Sequence, residues 1–182
     1  MFAQDWWHDI VTGEPHGWAN RIWLLNPGGA PLPLYADAQA VRAWRHCDEW
    51  WGRAGRGIWY VDYDAGTFYH DLGSDTRELV WPGRQCHAQS SADGRLLVGD
   101  LNTYNTEPGT PCRVVFLNRD TDRTVDIVSE LPFAAPELVP YHWHPHPQFI
   151  WDDEWIACTT TVAPGRLDLA IVRVAELAAR TL

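Results

Sequence analysis

The chain has 182 residues, of which 46% are hydrophobic and 21% charged, a composition typical of one globular domain with a full core. Its formal net charge of −10 disfavours nucleic acids and anionic membranes as general partners. No stretch approaches the ~18 apolar residues of a membrane helix, and the N-terminus lacks a secretory-signal pattern, so we expect a cytoplasmic protein with no membrane partner.

Short runs of aromatic and β-branched residues alternate with turn signals along the chain, which is typical of antiparallel strands. Related runs recur roughly every 40–50 residues. One series of runs begins at Arg21, Thr67, Cys112 and Leu167. A second series begins at Gly57, Arg95 and Glu154. A four-stranded unit with this period predicts the blades of a β-propeller, and a β-sandwich, which has no such period, is the alternative. Only the tail at 175–180 has a helical pattern.

The sequence predicts an all-β fold in which residues 1–182 form a single partial β-propeller. The repeats give about three and a half four-stranded antiparallel blades, with a remnant at 1–27 and blades at about 44–74, 84–129 and 139–176. An unclosed set of blades leaves sheet edges exposed. We therefore expect the C-terminal half of a larger propeller, completed by a missing N-terminal half or by a second copy in a homodimer; a four-bladed or irregular closure is the alternative.

Three histidines occupy alternate positions in the segment YHWHPHPQF, residues 141–149. In extended backbone such side chains share one face, and Pro145 and Pro147 favour an extended conformation at His144 and His146. The segment therefore predicts a row of imidazoles suited to a metal ion, with solvated histidines in a proline-rich loop as the alternative. The four cysteines form no CxxC pair and are expected to be reduced thiols.

Four segments in order resemble the oligogalacturonate lyases, a family of seven-bladed propeller enzymes of pectin breakdown. The segments are EPHGWANRIWLLNPGG, DEWWGRAGRGIWYV, CHAQSSADGRLLVGD and HPHPQFIWDDEWIACTTT. The resemblance covers nearly all of the chain but only the C-terminal half of the family's length. It implies a metal-assisted β-elimination of short oligogalacturonides.

The resemblance also implies the residues of the site. His87, His144 and His146 match the metal ligands of the family, whose metal is manganese, and Arg21 matches an arginine that binds a sugar carboxylate. By their softness, three imidazoles suit zinc, copper or nickel at least as well as manganese. A local cationic pocket of this kind would let an acidic protein bind an anionic sugar.

The sequence departs from the family pattern at two positions. Tyr141 stands where the family has a glutamine ligand, and the candidate replacements are His142, Gln148 and water. Asp48 stands where the family has its catalytic histidine, and His46, two residues earlier, reaches the same side if the segment is extended. The base is therefore His46 or Asp48, or the lyase activity has been lost. A non-catalytic module that binds a sugar acid or a protein, and an inactive truncated fragment, are the alternative functions.

Overall fold

The strands are short and lie close together in the chain, as the turn signals predict. The computed structural model describes residues 2–3, 22–34, 46–52, 55–101, 110–131, 144–161 and 167–182, with the backbone alone at 2–3 and 46–47. The strands are β1 Phe2–Ala3, β2 Ile22–Leu24, β3 Leu32–Pro33, β4 His46–Trp51, β5 Gly57–Asp62, β6 Gly66–Asp71, β7 Thr76–Pro82, β8 Gln85–Ser90, β9 Leu96–Leu101, β10 Cys112–Asn118, β11 Arg123–Leu131, β12 Gln148–Ile150, β13 Trp155–Thr160 and β14 Asp168–Arg173.

The described strands form four antiparallel sheets, each with its strands in chain order. The orders are β1-β2-β3, β4-β5-β6-β7, β8-β9-β10-β11 and β12-β13-β14. The third sheet, from Gln85 to Leu131, lies within two residues of the predicted blade 84–129. The second sheet continues to Pro82, past the predicted end at 74. The sequence did not predict its last strand, β7, because β7 is mostly exposed and carries no alternating apolar pattern. The first reaches Pro33 rather than ending at 27.

Successive sheets pack face to face through apolar clusters. Strand β5 contacts the sheets on both sides of it. Ile58 and Tyr60 pack towards Ile22 of the first sheet, and Trp59 packs towards Leu97 of the third. The third and fourth sheets share a cluster that includes Phe116 and Ile156. A strand buried on both faces reads as a continuous apolar run, which is why the blade centres are visible in the sequence.

The first strand of each later sheet lies at a common centre. Strand β8 contacts β4 on one side and β12 on the other. Four-stranded antiparallel meanders stacked in this way around their first strands are blades, and the protein is a partial β-propeller. One end of the blades therefore carries the starts of β4 and β8, the end of β9 and the segment before β12.

The chain ends in a short helix, α1, which spans Val174–Arg180 and agrees with the helical pattern predicted at 175–180. Val174 and Leu177 are buried in the cluster between the third and fourth sheets. Within the part of the chain that the structure describes, no helix is long and apolar enough to cross a membrane.

Candidate metal centre and adjoining cavity

Three of the predicted site residues come together at this end of the blades. The ring of His87, on β8, lies 4.9 Å from that of His144 and 3.6 Å from that of His146, measured between centroids. The rings of His144 and His146 are 5.9 Å apart. His87 therefore meets two residues that lie 57 and 59 positions later in the sequence, because β8 and the segment before β12 belong to adjacent blades.

Cys86 joins this group, although no sequence pattern singled it out. Its sulfur lies 3.8 Å from Nε2 of His87 and 3.9 Å from Nδ1 of His144. Within the described chain, one donor atom from each of Cys86, His87 and His144 lies within 4.8 Å of the others, a group that could hold a metal ion. His146 is not in that group, because its ring packs against the ring of His87 instead.

Asp100 links His87 and His146 through hydrogen bonds. Its carboxylate is fully buried and accepts the backbone N–H of His87 at 2.8 Å, Nδ1–H of His87 at 2.8 Å and the backbone N–H of His146 at 3.3 Å. With the proton held at Nδ1, His87 presents Nε2 towards Cys86 and His144. A carboxylate that orients a histidine in this way is a common feature of metal sites.

The charges around His87 are consistent with a site for a cation. Burial lowers the pKa of His87, but hydrogen bonds to Asp100 and Cys86 outweigh burial and raise it to about 10. Burial raises the pKa of Cys86, whereas its hydrogen bonds to His144 and His87 bring it down to about 7. Without a metal ion the His87 imidazolium balances the neighbouring negative charges, and a divalent cation can replace that proton. The donors therefore fit a divalent cation.

Asp48 faces the same end of the blades from β4. Strand β4 carries a bulge between Cys47 and Trp50, and Asp48 has a left-handed backbone with φ of 55°. Bulges redirect side chains, and here the carboxylate turns towards β8 and accepts the backbone N–H of Ala88 at 2.7 Å. Burial is the main cause that raises the pKa of Asp48, to about 6.

A cavity of about 200 Å³ lies between these groups. It is lined by Asp48, Glu49, Trp50, His87, Ala88, Gln89, His146, Pro147 and Gln148. His87 thus borders both the cavity and the donor group that contains Cys86. Burial and the charge of His87 lower the pKa of His146, which favours its neutral form beside the cavity.

A larger cavity, of about 510 Å³, lies at the other end of the blades, near the turns that hold Gly94 and Arg119. Although it is larger, this cavity is a weaker candidate for the functional site than the cavity beside the histidines. Arg119 is already engaged there, since it donates to the carbonyl of Gly94 and to Glu78 and lies over the ring of Trp59. We therefore assign the functional site to the smaller cavity beside the histidines.

Several predicted site residues lie outside the described residues or lack a described side chain. Arg21, Tyr141 and His142 lie outside the described residues. His46 pairs with Asp62 at the start of β4, and its side chain is not described. The extended backbone expected at His146 is wrong, because its φ is 43°. The condition set for His46 and Asp48, an extended segment, is not met at Asp48, whose φ is 55°. Gln148 lines the cavity beside His146 and stays a candidate for the missing glutamine ligand.

The structure is similar to two oligogalacturonate lyases, while no protein-family model and no curated protein sequence matches the chain. The first, an oligogalacturonate lyase in complex with manganese, has a TM-score of 0.65 and 22% identity, with 88% of this chain and 43% of that chain covered. The second, the oligogalacturonate lyase of Vibrio parahaemolyticus, has a TM-score of 0.56 and 22% identity, with coverage of 85% and 42%. The chain therefore shares the fold of these lyases and spans less than half of their length.

Proposed function

We propose that the chain forms the metal-bearing half of an oligogalacturonate lyase-like enzyme, which cleaves short oligogalacturonides derived from pectin by β-elimination. The observation that carries the proposal is the cavity in which a half-buried carboxylate, Asp48, faces His87 of the candidate metal-binding group. Similarity to two oligogalacturonate lyase structures supports the same reaction. Manganese is the ion that the resemblance implies.

The reaction needs a base beside the C5 proton of a uronate and positive charge beside its carboxylate. When bound, a divalent cation stabilises the enolate-like charge that develops next to that carboxylate. Asp48 takes the C5 proton in this scheme, the bond from C4 to the glycosidic oxygen breaks, and a C4–C5 double bond forms. The departing oxygen takes up a proton from water. His87 and His144 would hold the cation, and His146 lines the cavity. Arg21 is proposed to bind a second carboxylate of the sugar.

Asp48 is the better candidate for the base because its environment meets the chemical requirement. A carboxylate with an ordinary pKa is a weak base, and burial raises the pKa of Asp48 to about 6. The hydrogen bond from Ala88 fixes the orientation of its carboxylate towards β8. His46 stays the alternative base, since it lies two residues earlier on the same strand.

The proposal predicts that the metal-loaded protein releases a product with a C4–C5 double bond from digalacturonate, which ultraviolet absorbance detects. His87→Ala should abolish this release, because it removes a metal donor that also borders the cavity. His70→Ala is a matched control, because His70 lies in the second sheet and pairs with Asp75 instead. Binding of the sugar without any product, by a folded and metal-loaded protein, would favour the non-catalytic binding module.

The exposed face of the last sheet supports a proposal about the partner. Leu167, Leu169 and Ile171 are 54%, 65% and 44% exposed, whereas Ala170 and Val172, on the other face of β14, pack against the core. A further blade would cover this apolar face. The chain spans 43% of the manganese-bound lyase, so two copies come close to one full length, and we propose a homodimer as the simplest completed propeller.

Light scattering tests the homodimer. The expected mass is twice the chain mass of 20.7 kDa, and Leu169→Glu should shift the protein towards the monomer because it places a charge on the covered face. Leu79→Glu, on the outer strand β7, changes an exposed leucine (42%) elsewhere and should leave the dimer intact. A stable monomer with one cooperative unfolding transition would contradict the homodimer.

A further inference from the structure

Cys86 is placed where a ligand of the proposed metal centre would lie. Its sulfur is 3.8 Å from Nε2 of His87 and 3.9 Å from Nδ1 of His144. In a tetrahedral zinc site a thiolate sulfur and an imidazole nitrogen that share the ion are separated by about 3.6 Å, given bond lengths of about 2.3 and 2.1 Å. Both sulfur–nitrogen distances are therefore within a few tenths of an ångström of that spacing, and all three donor atoms lie within 4.8 Å of one another.

The orientation of the donors is set by the fold. Cys86 and His87 are consecutive on β8, and His144 comes from the segment before β12 in the next blade. Asp100 holds Nδ1 of His87, so that Nε2 points towards the sulfur. Cys86 is fully buried, which excludes competing contacts with solvent.

We propose that Cys86 binds the metal as a thiolate together with His87 and His144, and that this thiolate makes the centre select zinc over manganese. The proposal rests on the metal centre of the proposed function. On binding, a sulfur–metal bond forms and the thiol proton is released to solvent. His146 and Gln148 line the cavity that His87 also borders.

The chemistry of the donors favours zinc for two reasons. Thiolate is a soft ligand that zinc binds well, whereas manganese prefers carboxylate, carbonyl and water oxygens. Two imidazoles and one thiolate also match a tetrahedral zinc site with its fourth position open to water or substrate. Asp100, the buried carboxylate of the site, accepts hydrogen bonds from two N–H groups of His87 and one of His146, and it is not one of the three proposed metal ligands.

Cobalt is the probe for thiolate ligation, since a cobalt–thiolate bond gives a charge-transfer absorption band in the near ultraviolet. The full-length chain is stripped of metal and titrated with cobalt, then with zinc and manganese by calorimetry. We expect the charge-transfer band in the wild type, and zinc binding at least about tenfold weaker in Cys86→Ser. Manganese binding should change less, so that the ratio of zinc to manganese affinity narrows.

Cys112→Ser is the matched control, because Cys112 is a half-buried thiol on β10 that does not belong to the donor group. It should keep the cobalt band and the zinc affinity. Cys86→Ala provides a second variant if serine at this buried position prevents folding, and the wild-type spectrum decides without any variant. Cobalt bound without a charge-transfer band would overturn the thiolate ligand while leaving the metal centre intact. No binding of any of the three ions to the folded chain would overturn the metal centre itself.

Discussion

Asp48→Asn is expected to lower the rate of oligogalacturonide cleavage by about 100- to 10,000-fold, the usual contribution of a positioned general base. The amide can still accept the N–H of Ala88, so the position of the side chain is retained while its basicity is lost. Metal affinity should stay close to that of the wild type, because Asp48 does not belong to the donor group. Initial rates with digalacturonate, combined with metal titration, measure both effects.

The same substitution should stabilise the metal-free protein at neutral pH. A pKa raised from 3.8 to about 6 means that the ionised carboxylate is disfavoured in the folded state. The stability of the wild type therefore falls as the pH rises from 3.8 towards 6, by up to about 3 kcal/mol. Asp48→Asn should melt several degrees higher at pH 7.5 and show little gain at pH 4. Activity of the wild type should rise as the pH increases from the acid range, because the base acts in its ionised form.

Asp152→Asn is the matched control for Asp48→Asn. Asp152 has the same φ of 55° but lies exposed in the turn between β12 and β13, so its replacement should change neither rate nor stability. Full activity in Asp48→Asn together with loss of activity in His46→Gln would move the base to His46 and contradict the role of Asp48.

Asp100→Asn is expected to weaken metal binding by about 10- to 100-fold while the fold is retained. The amide oxygen can accept the backbone N–H of His87, but the amide nitrogen then faces Nδ1 of His87 and the N–H of His146. His87 must shift its proton to Nε2 to accept at Nδ1, and a protonated Nε2 cannot bind a metal ion. Calorimetric titration with zinc measures the loss.

The stronger substitution, Asp100→Ala, should also destabilise the protein, by about 3 kcal/mol, because it leaves three N–H donors, two of them on the half-buried His87, without an acceptor. Asp126→Asn is the control, since Asp126 pairs with Arg113 at the outer edge of the same blade and should leave metal binding unchanged. Wild-type zinc affinity in Asp100→Asn would show that Asp100 is structural only.

The blades could be predicted because burial on both faces leaves a direct mark on the sequence. Trp59 and Tyr60 are adjacent and both buried, each against a different neighbouring sheet. The outer strand β7 leaves no such mark, since its first four residues are exposed. Propeller blades are therefore recognised by their inner strands, and the outer boundary at Pro82 had to come from the structure.

The site was harder to predict because its geometry departs from regular strands. The bulge in β4 breaks the alternation on which the comparison of His46 with Asp48 depended. A residue before proline is usually extended, yet His146 has φ of 43° and its N–H contacts Asp100 in the neighbouring blade. In both cases contacts between blades, which no local pattern reveals, set the backbone.

Asp100 and Cys86 show what signal was available and what was not. Asp100 lies on the same face of β9 as Val98, in a strand that is otherwise apolar. A carboxylate at such a position needs hydrogen-bond donors, so its role as an acceptor inside the blades could have been inferred. Cys86 precedes His87 directly, and side chains of consecutive strand residues normally point to opposite faces. The irregular pairing between Gln85 and Ala88 brings both to one side, which the sequence does not show.

Calorimetric titration of a divalent metal ion into the metal-stripped chain, run in parallel on His144→Ala, tests the central claim most directly. The claim is that adjacent blades assemble a metal centre from Cys86, His87 and His144 beside the cavity that Asp48 lines. The account predicts about one ion bound per chain and loss of that binding in the variant. No binding to a folded wild-type chain, or equal binding in His144→Ala, would contradict it.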